Sequence, residues 1–336
     1  MPTLIHTDWK YHDIEAATLE NAYVRLDVLT GLGAKIYNLW DRVTGKNLLW
    51  HHPHTLPVRP PFGANFDDWW AGGWDDPFPN GAPVSFKGEM RPYLGELWTQ
   101  PWHAVTESKD GRAALHVWAD GIITPARVDK WLVLDPERPI LRIFYKVTNR
   151  GYGPIEFMLG IHPALAIGPG YRLDLPACQV LVEESSAGAF GTPGCTYAWP
   201  WINRTGEDRI DLRAVPDVSH NTYGFAYAHT LAEGWTALSG SSTQPGLAMA
   251  FDVTAFPVVW LWMVYGGWRG LYHVAMEPWT SFPTAIDEAS RGGRTVVLNP
   301  GDKWETAVTA VVHHGWKAIT HVSPHGEISG ERGTSQ

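Results

Sequence analysis

The sequence predicts an all-β protein, a large antiparallel β-sandwich with few short helices. Three observations carry this. The 336 residues include 34 Gly and 26 Pro spread along the chain, which leaves few windows for an uninterrupted helix of about 10–12 residues. Between these breakers the apolar residues recur with period two, the spacing of a strand. The connections Asp135-Pro136-Glu137-Arg138-Pro139 and Asn299-Pro300-Gly301-Asp302 have the chemistry of turns between antiparallel strands.

Along the chain, Ala22, Val24, Leu26 and Val28 alternate with Asn21, Tyr23, Arg25 and Asp27, as one buried and one wetter strand face require. Leu141, Ile143, Tyr145 and Val147 repeat the pattern before Asn149-Arg150-Gly151. Residues 131–134 and the strand after Pro139 read as a hairpin, and so do 294–298 and 303–312. Many strands without interspersed helices form sheets packed face to face or closed into a barrel. No self-similar period of about 40–50 residues supports a propeller. No composition shift marks a linker, so 1–324 are expected to form one sandwich domain. HGEISGERGTSQ (325–336) lacks apolar periodicity and is expected to fray as a flexible tail.

Composition excludes several classes. With 44% hydrophobic and 18% charged residues the chain can bury a large core and is not a disordered polypeptide. A formal charge of −9 without basic runs argues against a nucleic-acid partner. Two cysteines, Cys178 and Cys195, are too few for a disulfide framework or a four-thiolate zinc site and are expected to be free thiols. The N-terminus lacks a basic stretch followed by an apolar run, and about 18 uninterrupted apolar residues occur nowhere; a cytoplasmic protein without membrane contact is expected. The sequon Asn203-Arg204-Thr205 is taken as chance, and the sequence leaves homo-oligomerisation open.

The chain carries 19 Trp. Indole offers a flat apolar face and one N–H donor, suited to the C–H face of a sugar ring while neighbouring polar groups take its hydroxyls. Most of these rings must be core. DWWAGGWDDPFP (68–79) and GELWTQPW (95–102) nevertheless interleave indoles with carboxylates and point to a carbohydrate cleft built from Trp74, Asp75, Asp76, Glu96 and Trp98, with Trp262 and Trp279 from later strands. The Asp residues could equally cap nearby backbone N–H groups. Further on, a strand ending at Met276 places Glu277 at its terminus next to Pro278; the proline holds Glu277 in extended geometry beside the aromatic neighbours Trp279 and Phe282, an environment that can raise a carboxylate towards the working range of a general base.

EPWTSFP (277–283), a polar connection, then VVLNPGDKWE (296–305) resembles the C-terminal block of the aldose 1-epimerases, the galactose mutarotase-like proteins. The resemblance implies a mutarotase-like supersandwich that interconverts α and β anomers of a monosaccharide by acid–base ring opening, without cofactor or metal. It places the catalytic base at Glu277 and the acid that protonates the ring oxygen at His162, in FMLGIHPALAIG (157–168), with Pro163 and Ala164 replacing the family's aromatic-Asn tail. GLGAKIYNLWDRVTGKNLLW (31–50) resembles the family's N-terminal block. In PYLGELWTQPW (92–102) Leu94 stands where a second family His would be, so hexose specificity is not carried over, and Glu96 and Asp75 are the candidates to bind hydroxyls in its place.

On this reading Glu277 is ionised and His162 protonated at rest, the latter aided by Asp75 or Glu96. Two other classes compete: a glycoside hydrolase or lyase using carboxylates such as Asp75 and Glu277, and a sugar-binding protein without catalysis. Gly31-Leu32-Gly33 lacks the third glycine and the helix of a dinucleotide fingerprint. His51, His52 and His54 sit among prolines without helical spacing or a Cys partner and are not read as a metal site. His313-His314 closes a strand and reads as a solvated edge.

Overall fold

The computed structural model describes residues 3–184, 186, 190–203, 209–240 and 244–333. Arg204 and Thr205 of the sequon and residues 334–336 lie outside these.

Two large antiparallel sheets share one core. The first has twelve strands, in the order Leu4–Tyr11, Ile14–Glu20, Val24–Leu29, Lys35–Asp41, Trp74–Asp75, His162–Leu165, Tyr272–Trp279, Val258–Tyr265, Thr222–His229, Gln179–Val182 and Thr196–Ala198, with Lys46–Asn47 attached to Lys35–Asp41. The second has eight, running Arg172–Asp174, Trp235–Ser239, Gly246–Phe251, Lys303–His313, Ile140–Asn149, Ala126–Leu134, Arg112–Asp120 and His103–Lys109. Leu26, Ile36, Leu261 and Met276 of the first sheet pack with Val128, Ile143 and Val308 of the second. Among the described residues the α-helices are Phe66–Trp69 and Ile286–Arg291, and no helix is long and apolar enough to cross a membrane.

Period two accounts for this packing. In Ile140–Asn149, Leu141, Ile143, Tyr145 and Val147 are buried while Arg142, Phe144, Lys146 and Thr148 are partly exposed. Near the start of the chain the alternation is interrupted. Ala22 is exposed and precedes the strand, whereas Asn21 is fully buried, because its amide donates to the carbonyls of Asp135 and Arg138 and its carbonyl accepts from the N–H groups of Tyr23 and Val24. Asp27 is buried too, accepting from Thr18 and Asn38.

The hairpin of 131–134 with the following strand forms as expected, Leu134 opposite Leu141. The second expected hairpin does not. Val296–Leu298 pairs with Ile155–Phe157, while Lys303–His313 lies between Ile140–Asn149 and Gly246–Phe251. The turn at 299–302 hands the chain from one sheet to another, fixed by Asn149 N–H to Asp302 O at 3.0 Å and Gly301 N–H to Asn149 O at 3.1 Å. The expected frayed tail is also corrected: Ile328–Arg332 pairs with Trp316–Val322, and Ile319, Val322 and Ile328 pack on Trp235. His313 is buried rather than solvated, lying against Gly246, where a Cβ would sit 2.4 Å from its ring. Cys178 and Cys195 are free thiols.

The centre of the twelve-stranded sheet is apolar on both faces. Val274 and Met276, like Leu261 and Met263, point into the inter-sheet core. The alternate positions face the other way, where Trp260, Trp279 and Ala164 meet Phe66, Trp70, Trp98 and Ile286 of the covering loops and helices. The candidate site lies on this outer face.

Candidate active site

Strand register brings His162 and Glu277 together across 115 positions of sequence. Gly160 pairs with Trp279 and Ala164 with Ala275, so His162 between them stands opposite Glu277. On its other side Glu277 pairs with Trp260. The His162 Nε2 lies 3.5 Å from Glu277 Oε1, and both residues are 2% exposed. They form the floor of a pocket of about 350 Å³. Its walls are Phe66, Tyr93, Tyr223, Phe225, Trp260, Trp262 and Trp268, and its polar groups include Asp67, Glu183, Ser186 and Thr284. Trp262 lies nearly parallel to the His162 ring at 6.0 Å, and Phe66 meets that ring edge-on at 5.7 Å.

Burial sets the protonation of the pair. Glu277 is pushed well above the usual carboxylate range by desolvation, which outweighs the hydrogen bond it accepts from Trp279 Nε1 at 2.9 Å. His162 is pushed down to about 3 by desolvation and then by the charge of Lys35. Burial thus favours the uncharged form of each group, a carboxylic acid beside a neutral imidazole, over the carboxylate and imidazolium expected from the sequence. Neither predicted helper bonds His162. Asp75 is its cross-strand neighbour, but its carboxyl is tied to Lys35 Nζ at 3.0 Å and to Trp70 Nε1 at 3.2 Å, and Glu96 is held by the N–H groups of residues 122–124. His162 Nδ1 has no hydrogen-bond partner among the described residues. Beyond it, His273 is fully buried and boxed by Trp50, Trp70 and Trp262 at 4.6, 5.1 and 4.7 Å; burial pushes it far below the ordinary histidine value.

Of the predicted sugar-binding residues, Trp262 lines the pocket. Trp279 lies behind the wall, stacked on Trp260 at 3.7 Å and 10°. The others serve the scaffold. Trp74 is 0% exposed in the inter-sheet core. Asp76 holds the buried Lys130 Nζ at 2.5 Å and accepts from Tyr145 at 3.0 Å. Glu96, 0% exposed, accepts the N–H groups of Ile122, Ile123 and Thr124 at 2.7, 2.6 and 3.0 Å. Trp98 packs edge-on against Phe66 and donates to Tyr93 O at 3.1 Å. Leu94 lines the pocket, giving an apolar wall at the position of the missing His.

Asp67, like Glu183, Ser186 and Thr284, is a polar pocket residue that the motifs did not single out, although it adjoins Asp68 in FDDWW. Burial pushes its carboxyl up to about 6 despite the nearby Arg269. Arg269 sits by Trp268, 4.7 Å from the ring centroid, and donates to Asp67 O and Asp68. Arg91 and Arg172 are engaged with Thr124 and Asp174, and no Lys or Arg lines the pocket among the described residues. His51 stacks on Tyr37 at 4.0 Å and bonds its carbonyl oxygen. Among the described residues no group of three or more His, Cys, Asp or Glu is arranged to hold a metal.

These protonation states have a consequence for stability. The unfolded chain takes up a proton on His162 near pH 6.5, which the folded chain refuses until about 3. The stability contributed by the neutral His162 is expected to be lost as the pH drops through that window, against an opposite contribution from the raised Glu277, and His162→Gln should flatten the slope of urea midpoint against pH. An unchanged slope would place the ring in water.

No family model matches the sequence. Solved structures do match. A galactose mutarotase-like protein from Clostridium acetobutylicum superposes with a TM-score of 0.69 at 12% identity, over 93% of this chain and 99% of that one. A protein from Klebsiella pneumoniae provisionally assigned as an aldose 1-epimerase gives 0.67 at 13% identity, over 93% and 88%. A protein from Synechocystis sp. PCC 6803 gives 0.66 at 16% identity, over 92% and 97%. The fold is that of the galactose mutarotase-like sandwiches.

Proposed function

We propose that this mutarotase-like sandwich is an aldose 1-epimerase-like isomerase, with His162 and Glu277 exchanging protons with one pyranose ring. The observation that carries the proposal is the facing pair on the floor of an aromatic pocket, 3.5 Å apart and shielded from water. Ring opening requires one proton delivered to the ring oxygen and one removed from the anomeric hydroxyl. The resting pair holds one proton between two groups, which suits both tasks. Glu277 gives its proton to the ring oxygen as His162 Nε2 takes the anomeric proton, and the C1–O5 bond breaks to give the aldehyde. Rotation about C1–C2 turns the other carbonyl face to the ring oxygen. Reclosure returns both protons, and the pair ends as it began. Acid and base are thus interchanged relative to the roles that the resemblance implied, because burial favours the uncharged pair.

Aromatic walls would hold the apolar face of the ring, while Asp67 and Ser186 offer hydroxyl partners. The absence of a lining cation among the described residues favours an uncharged monosaccharide over an anionic one. Trp262→Ala is expected to raise KM about tenfold with a smaller change in kcat, as loss of one stacking surface predicts. A fall in kcat at unchanged KM would move Trp262 from binding to chemistry. Polarimetry of freshly dissolved α-aldoses tests the function: equilibration should accelerate in proportion to protein, with no new product. Release of new reducing ends from a glycoside would assign hydrolysis instead, and binding without acceleration a lectin-like role.

A further inference from the structure

We propose that Trp279 is a positioning residue whose indole N–H occupies Oε2 of Glu277 and so places the exchangeable proton on Oε1, the oxygen that faces His162. The inference rests on the acid–base reading above and goes beyond it by saying which atom carries the proton and what selects it.

Indole nitrogen is a donor only. With Trp279 Nε1 at 2.9 Å, Oε2 must act as an acceptor. A proton on Oε2 would weaken that bond and lie in apolar surroundings. A proton on Oε1 has the imidazole Nε2 at 3.5 Å and the cavity before it. The donor can enforce this choice because it cannot move. One face of the indole is stacked on Trp260 at 3.7 Å, and Trp260 is itself tied through Nε1 to Ser281 O at 3.0 Å. Gly160 packs against the indole, where a Cβ would sit 2.2 Å from Cε2, so only glycine admits the ring in this place. The same bond favours the carboxylate form of Glu277 against the burial that opposes it.

Trp279→Phe keeps a ring in the stack and removes the donor. Glu277 should then ionise at higher pH, moving the alkaline limb of the kcat profile upwards. At neutral pH kcat should fall roughly 10- to 100-fold, as misplacement of a reacting group does, with KM unchanged. Loss of packing alone would lower the rate at every pH without moving the limb. An independent readout is the ¹⁵N–¹H indole resonance of Trp279 in the wild type. It should shift with pH as Glu277 titrates, and it should be the indole signal that becomes flat in Glu277→Gln, an assignment that holds even if Trp279→Phe does not fold. A fixed limb in Trp279→Phe, or no indole signal that loses its titration in Glu277→Gln, would overturn the proposal. If the wild type accelerates no aldose, the epimerase reading fails, while the indole titration still decides whether Trp279 governs the carboxyl.

Discussion

Replacing Glu277 with Gln is expected to slow anomer equilibration by about 10²–10⁴-fold, the usual contribution of a positioned acid–base group. Gln fills the same space and keeps a carbonyl oxygen able to accept from the Trp279 indole, so the pocket wall should stay intact. Sugar affinity should change little, because the aromatic rings that line the cavity are untouched. The readouts are the initial rate of polarimetric change and a direct titration of sugar binding. Loss of both rate and affinity would mean that the substitution deforms the site; full rate would remove Glu277 from the chemistry.

Asp76→Ala is expected to act on stability rather than on sugar recognition. Lys130 is 0% exposed and its ammonium is held by Asp76, with a further contact to Ala34 O at 3.3 Å. Removing the carboxylate leaves a buried charge unpaired and takes the Tyr145 hydroxyl's acceptor with it. Breaking such a pair costs about 3–5 kcal/mol, a large share of the roughly 5–15 kcal/mol that separates folded from unfolded states. Urea unfolding should show most of this loss recovered in the double variant Asp76→Leu/Lys130→Met, where neither charge is buried. A stable Asp76→Ala with weakened sugar binding would return Asp76 to the pocket.

The contrast between these two acids explains what could be read from sequence. The resemblance singled out Glu277 and His162, and antiparallel pairing of their strands sets the two side by side. Asp75, Asp76 and Glu96 were misplaced because a carboxylate's role depends on distant partners. Theirs are Lys35, Lys130 and the amides of 122–124, none adjacent in sequence. Trp74 and Trp279 failed for a related reason: alternation tells which residues share a face, but both faces of these strands are buried, one against the second sheet and one around the site. The pattern of Trp260 and Trp262 on one face of VVWLWMVY was visible; that this face opens on a cavity was not. The charge states of the pair also had to come from burial, which motifs do not encode.

The same limit applies to chain connections. Asn299-Pro300-Gly301-Asp302 is a turn, as its residues require, yet it links strands of different sheets, since a turn specifies a reversal and not the strand that waits beyond it.

The most direct measurement is a crystal structure with a bound aldose. The account predicts one pyranose in the aromatic pocket, its ring oxygen and anomeric hydroxyl each within about 2.6–3.2 Å of one of Glu277 Oε1 and His162 Nε2. A sugar seated with both oxygens turned away from these two atoms, or bound outside the pocket altogether, would contradict it.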